Sequence, residues 1–214
     1  MRTRVKMCGF TRTEDIKAAV QAGADAVGLV FYEKSKRYVS IAQAAHLRAH
    51  LPAFVQSVAL FVNAKPAFVR DVMHSVKPDL LQFHGEESPA YCESFDHPYM
   101  RAFRVGAPGL ETAEQLLEQC RRYSNAQAWL FDSYSPAYGG SGTRFDLQLL
   151  EHVLAHRKAD EPEIILAGGV TPDRLPQLMT QIHPYALDVS SAIEDAPGMK
   201  NAAKMQAFMK ALNF

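Results

Sequence analysis

The sequence predicts a (β/α)8 barrel, an α/β fold in which eight parallel strands close into a cylinder jacketed by helices. Three observations carry that prediction. Short apolar runs rich in β-branched residues alternate with longer segments of helical periodicity; eight such runs can be counted; and the first is not followed by the G-x-G-x-x-G turn that opens a doubly wound sheet. Most of the runs are apolar almost throughout, as strands covered on both faces must be. With 214 residues, 48% of them hydrophobic, the chain can bury one substantial core, and residues 1–214 are expected to form a single domain.

Taken in order, the first strand spans residues 4–8 and ends on Cys8; a helix over 13–21 follows, where Thr11 and Glu14 have the spacing of a capping box. The second strand is 26–31, and apolar residues at every third or fourth position place a helix at 41–50. Strand three, 55–61, leads to a helix over 67–75, with Pro66 suited to its first turn. Strand four, 80–83, ends just before His84, and the segment after it carries the faintest helical pattern of the chain. Strand five, 99–103, precedes a helix within 109–123, and strand six, 128–132, precedes one over 147–156. Strand seven, 163–167, runs into Gly168-Gly169, with Pro172 suited to another first helical turn. Strand eight, 186–188, ends on Asp188, and the last helix spans 200–212. Trp129, inside strand six, reads as barrel core or as packing between barrel and helices.

Lys plus Arg and Asp plus Glu balance at 23 each with no block of like charge, which argues against a nucleic-acid groove or a polybasic membrane patch. Any anionic ligand must be held by local groups. No stretch has signal-peptide character or approaches the roughly 20 apolar residues of a membrane span, so a cytoplasmic protein without membrane partners is expected. Cys8, Cys92 and Cys120 are an odd set without metal-ligand spacing, which speaks against a disulfide framework and against a metal site. Cys92 and Cys120 fall in helical segments and read as structural.

In such a barrel, reacting groups project from the C-terminal ends of the strands and the loops that follow. That rule nominates Cys8, His84, Asp132, Gly168 with Gly169, and the segment from Asp188 through Ser190 and Ser191. Taken singly, each has an ordinary structural reading: a cysteine packs as a small hydrophobe, a glycine pair makes a turn, a histidine before Gly85 enters a helix.

Read together, the pieces form a pattern. Lys6-Met7-Cys8-Gly9-Phe10-Thr11 resembles the K-x-C-G-x-T signature that opens phosphoribosylanthranilate isomerases. The resemblance continues through Gly28-Leu29-Val30-Phe31, Ser35-Lys36-Arg37-Tyr38-Val39, Val58 to Asn63, and Leu81-Gln82-Phe83-His84-Gly85-Glu86. It then takes in Phe131-Asp132, Gly139-Gly140-Ser141-Gly142, Phe145-Asp146, Leu166 to Val170 with Pro172, Asp188-Val189-Ser190-Ser191, Glu194, and Pro197-Gly198-Met199-Lys200. It covers essentially the whole chain. One residue departs: Ala192 stands where the family usually has Gly, so a rearranged phosphate loop is expected if that glycine serves a positive φ or a close phosphate approach.

The resemblance implies conversion of N-(5-phosphoribosyl)anthranilate into 1-(2-carboxyphenylamino)-1-deoxyribulose 5-phosphate, an Amadori rearrangement of tryptophan biosynthesis that needs an acid and a base and no cofactor. It assigns Asp132 as the acid that opens the ribose ring and Cys8 as the base at C2. A carboxyl of pKa about 3.9 must be kept protonated for this, and a thiol of about 8.5 must be helped to ionise; the N-terminus of the helix beginning near Thr11–Thr13 is one source of help. Arg37 resembles the family arginine for the anthranilate carboxylate, with a guanidinium able to make two parallel hydrogen bonds. Gly168, Gly169, Ser190 and Ser191 match the usual barrel phosphate site. Asp188 would face the substrate hydroxyls or orient the site, His84 would support the centre, and residues 133–143 have a composition that fits a lid or an ordinary surface loop. The implied partner is a small sugar phosphate; oligomeric state cannot be read from the sequence. Two alternatives stay open: the analogous aminoaldose isomerase of histidine biosynthesis or a bifunctional relative, which would place Asp where Cys8 stands, and a barrel that binds a sugar phosphate without turning it over.

Overall fold

The computed structural model of the chain describes residues 2–133 and 147–212. Strands β1 (Arg4–Cys8), β2 (Ala26–Val30), β3 (Gln56–Phe61), β4 (Leu80–Phe83), β5 (Tyr99–Val105), β6 (Ala128–Ser133), β7 (Glu163–Leu166) and β8 (Ala186–Val189) close in sequence order into a barrel. All neighbours are parallel, and the seam is sealed where β1 pairs with β8, Lys6 standing opposite Asp188. Helices α1 (Thr13–Ala22), α2 (Ile41–Arg48), α3 (Pro66–Val76), α4 (Pro89–Glu93), α5 (Ala113–Arg121), α6 (Leu147–His156), α7 (Leu175–Gln181) and α8 (Ala202–Leu212) alternate with the strands.

Side chains alternate in and out along each strand, which divides the core in two. Outward residues such as Met7, Phe61, Phe83, Trp129 and Phe131 pack against the helices and form the larger cluster. Trp129 is fully buried there, its indole N–H donating to the Tyr123 carbonyl, so it serves barrel–helix packing. Inward residues are smaller: Val58, Met100, Ala102, Leu130, Ile165 and Ala167 fill the barrel's lower interior. Bulky side chains outside and compact ones inside fit the limited radius of an eight-stranded cylinder.

Several local expectations are revised. Thr11 and Glu14 form no capping box: α1 starts at Thr13 after Arg12, which makes no side-chain cap, because the Thr11 hydroxyl donates instead to the Gly198 carbonyl at 2.6 Å. Pro66 does open α3, whereas Pro172 opens a separate 3-10 turn, Pro172–Arg174, ahead of α7. The faint pattern after β4 corresponds to a single five-residue helix capped by Ser88. A true capping box forms at Thr112 with Gln115 and starts α5 at Ala113, shorter than the periodic segment suggested. Lys200 is not helical. It belongs to a two-stranded antiparallel ribbon, β9 (Glu194–Ala196) with β10 (Met199–Lys200), that the sequence does not announce. No helix among the described residues is long and apolar enough to cross a membrane.

Candidate active site

Every residue nominated from the sequence lines one cavity at the C-terminal mouth of the barrel: Cys8, Arg37, His84, Asp132, Gly168, Gly169, Asp188, Ser190 and Ser191. Its apolar wall is Val30, Leu60 and Val62, packed with Cys8 and Tyr32. The cavity is therefore half greasy and half polar, suited to a ligand with an apolar ring and charged ends. The proposed lid, residues 133–143, lies outside the described residues except for Ser133.

Asp132 ends β6. Its Oδ1 accepts from the Ser133 N–H at 2.8 Å, and its Oδ2 faces His84 Nε2 at 3.2 Å. Behind it, His84 Nδ1 lies 3.1 Å from the Gln82 side-chain amide. With the amide nitrogen donating, Nδ1 accepts and the imidazole carries its proton on Nε2, presented to the carboxylate; with the amide turned over, Nδ1–H donates to the amide oxygen and Nε2 can accept from a protonated carboxyl. The chain Gln82–His84–Asp132 thus suits both protonation states of Asp132. Strand-end reasoning left His84 only a supporting place, and the geometry supplies its partners.

Cys8 is buried at the end of β1. Burial pushes its thiol up, Lys6 pulls it down, Asp188 pushes it up again, and Lys200 is a further downward influence; the balance lies above the ordinary thiol value. The thiol therefore answers to two ammonium groups, Lys6 and Lys200. Position 28 matters here. A Cβ on Gly28 would stand 2.5 Å from Cys8 Sγ and 3.1 Å from Lys6 Nζ, so only glycine fits beside the thiol.

Arg37 reaches the cavity from the loop after β2 and is held by Glu194, with Nε 2.9 Å and Nη2 2.6 Å from its carboxylate oxygens. Burial pushes Glu194 up, but Arg37 and Lys200 more than reverse this and hold it below the usual carboxylate range. The side chain of Lys200 is wholly buried, and its ammonium binds Glu194 and the Cys8 carbonyl. Glu194, Lys200, Lys6 and Gln82 were visible in the sequence only as members of the strings that carry the family resemblance, with no role attached to any of them.

At the opposite rim, Gly168 and Gly169 have φ of +68° and +66°, a conformation L side chains rarely adopt. A Cβ at Gly168 would also stand 2.7 Å from Asp132 Oδ1. Ser190 is not a free hydroxyl for an anion, since its Oγ donates to the Cys8 carbonyl at 2.9 Å. Ala192 lies in the 3-10 turn Ser191–Ile193 and is not among the residues of positive φ, so this loop needs no glycine for its backbone.

Residues 5–211 match the family model described as N-(5'-phosphoribosyl)anthranilate (PRA) isomerase. The N-(5'-phosphoribosyl)anthranilate isomerase of Bordetella avium is 54% identical over 210 residues, 98% of this chain and 95% of that protein. That of Pseudomonas putida strain W619 is 45% identical over 98% of this chain and 97% of its own length. Among solved structures, the phosphoribosyl anthranilate isomerase of Thermotoga maritima superposes with a TM-score of 0.86 at 35% identity, covering 99% of this chain and 98% of the other. A second isomerase structure, in complex with reduced 1-(o-carboxyphenylamino)-1-deoxyribulose 5-phosphate, gives 0.82 at 31% identity with the same coverage.

Proposed function

The chain belongs to the phosphoribosylanthranilate isomerase family, enzymes of tryptophan biosynthesis, and from that premise we propose that Cys8 is the general base and Asp132 the general acid of its Amadori rearrangement. The observation that carries the assignment is their convergence on one cavity with every other nominated group. The ligand held by a 31% identical relative has the same skeleton as the expected product.

The steps follow from these positions. Asp132, protonated, gives its proton to the ribose ring oxygen while the anilino nitrogen pushes its lone pair toward C1. The C1–oxygen bond breaks and a protonated Schiff base forms. The Cys8 thiolate then takes the C2 proton, the C–H electrons become a C1=C2 bond, and nitrogen recovers its pair. Loss of the C2 hydroxyl proton and gain of one at C1 give the ketone. His84, backed by Gln82, steadies Asp132 through its ionised stage.

The two charged ends of the substrate call for different groups. Arg37 offers the anthranilate carboxylate its outer edge, Nη1 and the second Nη2 hydrogen, because Glu194 occupies Nε and the inner side of Nη2. The phosphate lies against Gly168, Gly169 and the backbone of Ser190 and Ser191, where glycines let main-chain N–H groups approach closely. Asp188, whose Oδ1 is buried without a hydrogen-bond partner, takes a substrate hydroxyl. The reading is of one barrel domain working in the cytoplasm on a small sugar phosphate.

The test is turnover of freshly prepared phosphoribosylanthranilate, followed by its fluorescence, in wild type, Cys8→Ala and Asp132→Asn. Loss of an acid or a base removes about 10²–10⁴-fold of rate, so kcat should fall by that order in each variant. Wild-type activity in either folded variant would remove that residue from its role.

A further inference from the structure

Beneath the mouth of the barrel sits an ion pair whose lysine the steps above leave without a purpose. Lys6 and Asp188 face each other across the β1–β8 seam, Nζ to Oδ2 at 2.8 Å, with 4% and 8% of each residue exposed. A buried pair is rarely retained for stability, because apolar residues of similar volume often do as well. Its neighbour supplies a reason. Lys6 and Cys8 are two apart on one strand and point to the same inward face, and both reach the bare backbone of Gly28, where a Cβ would meet Sγ at 2.5 Å and Nζ at 3.1 Å.

We infer that Lys6 is a positioning residue for the reaction: clamped by Asp188, its ammonium lies against the Cys8 sulfur and balances the charge that the thiol acquires on ionising. The inference rests on Cys8 being the general base. The other charged groups near the sulfur are committed elsewhere. Arg37 and Lys200 share the carboxylate of Glu194, and Lys200 binds the Cys8 carbonyl. Burial pushes the Asp188 carboxyl up and Lys6 pulls it down, with Asp132 and His84, from the β6 and β4 ends, acting on it as well. Burial opposes the Lys6 charge, but Asp188 and then Cys8 more than restore it, so the side chain stays an ammonium and releases no proton in the cycle.

The experiment measures iodoacetamide alkylation of Cys8 against pH, read by mass spectrometry of the N-terminal peptide, together with kcat over the same range. Wild type is compared with Lys6→Met and with Lys6→Met/Asp188→Leu, which leaves no buried charge alone and so protects the fold. The alkylation midpoint should rise by about one pH unit or more in both, and kcat of Lys6→Met at neutral pH should fall roughly tenfold or more while KM changes little. Midpoints and kcat profiles coinciding with wild type would overturn the inference alone. Cys8→Ala, assayed in parallel, separates the two readings: full activity in it would overturn the base assignment and this inference together.

Discussion

A methyl group at position 28 would occupy the space that the Cys8 sulfur and the Lys6 ammonium share, with nothing flexible to give way on the backbone side. Gly28→Ala should therefore lower kcat by about tenfold or more, read by steady-state turnover, while circular dichroism stays native; unaltered turnover would mean the thiol has room the geometry does not show. Arg37 makes a contrasting case. Losing its charged hydrogen bonds costs about 1.5–3 kcal/mol of substrate binding, so Arg37→Ala should mainly raise KM, and an unchanged KM would take it out of the site. Glu194→Gln, which keeps the shape and loosens the guanidinium, should raise KM by less. Cys8, Asp132 and Asp188 could be nominated because Cys8 ends its strand and the two aspartates stand one residue before the ends of theirs, and barrel geometry gathers strand ends at one mouth. Lys6 and Gln82 entered only as members of the strings that resemble the family: a polar residue inside an apolar run shows no role by itself, and only closure of the cylinder puts Lys6 beside Cys8 and Gln82 behind His84.

Among elements, the turns at the closed end carry acidic residues that hold strands in register. The Asp25 carboxylate accepts from the Val5 N–H at 2.8 Å and from Arg2, and Asp79 accepts from both the N–H and the hydroxyl of Ser57 at 2.7 and 2.6 Å. Burial pushes both carboxyls up; Arg2 and Val5 in one case, Ser57 and Arg48 in the other, more than reverse it and leave both below their ordinary value. A depressed pKa adds stability that is present above the unfolded value of about 3.9 and is lost as pH falls through the folded value. Asp25→Ala and Asp79→Ala should each cost about 1 kcal/mol at neutral pH, since both carboxylates are partly exposed and solvent screens what their hydrogen bonds would otherwise contribute. The gap to wild type should close below about pH 4; denaturant titrations at several pH values would show it, and a gap independent of pH would refute the linkage. The eight strands were readable from apolar runs, yet the ribbon β9–β10 was not, because it is short, polar and fixed by tertiary partners: the Lys200 ammonium on the Cys8 carbonyl, and Gly198 tied to Thr11.

Across the whole molecule, the two faces of the cylinder do different work. The outward face carries the aromatic mass: Phe83 packs on Phe61, Tyr91, Phe95 and Tyr99, with ring centroids 5.6 to 6.2 Å apart. The inward face, at the open end, carries nearly all the chemistry, including buried charges that contribute little to stability. Stability and activity should then separate by face. Phe95→Ala leaves a void beneath α4, beside Phe83 and Tyr91 at 5.7 and 5.1 Å and under Arg70, and should cost about 3–5 kcal/mol with activity per folded molecule unchanged. Lys6→Met/Asp188→Leu should do the reverse, keeping the denaturation midpoint near wild type while turnover collapses, since a well-packed apolar pair commonly replaces a buried ion pair without loss. Denaturant curves and turnover on the same two preparations decide it. If the inward variant lost stability as heavily as the outward one, the ion pair would be a strut of the seam, and the division between a structural jacket and a chemical mouth would not hold.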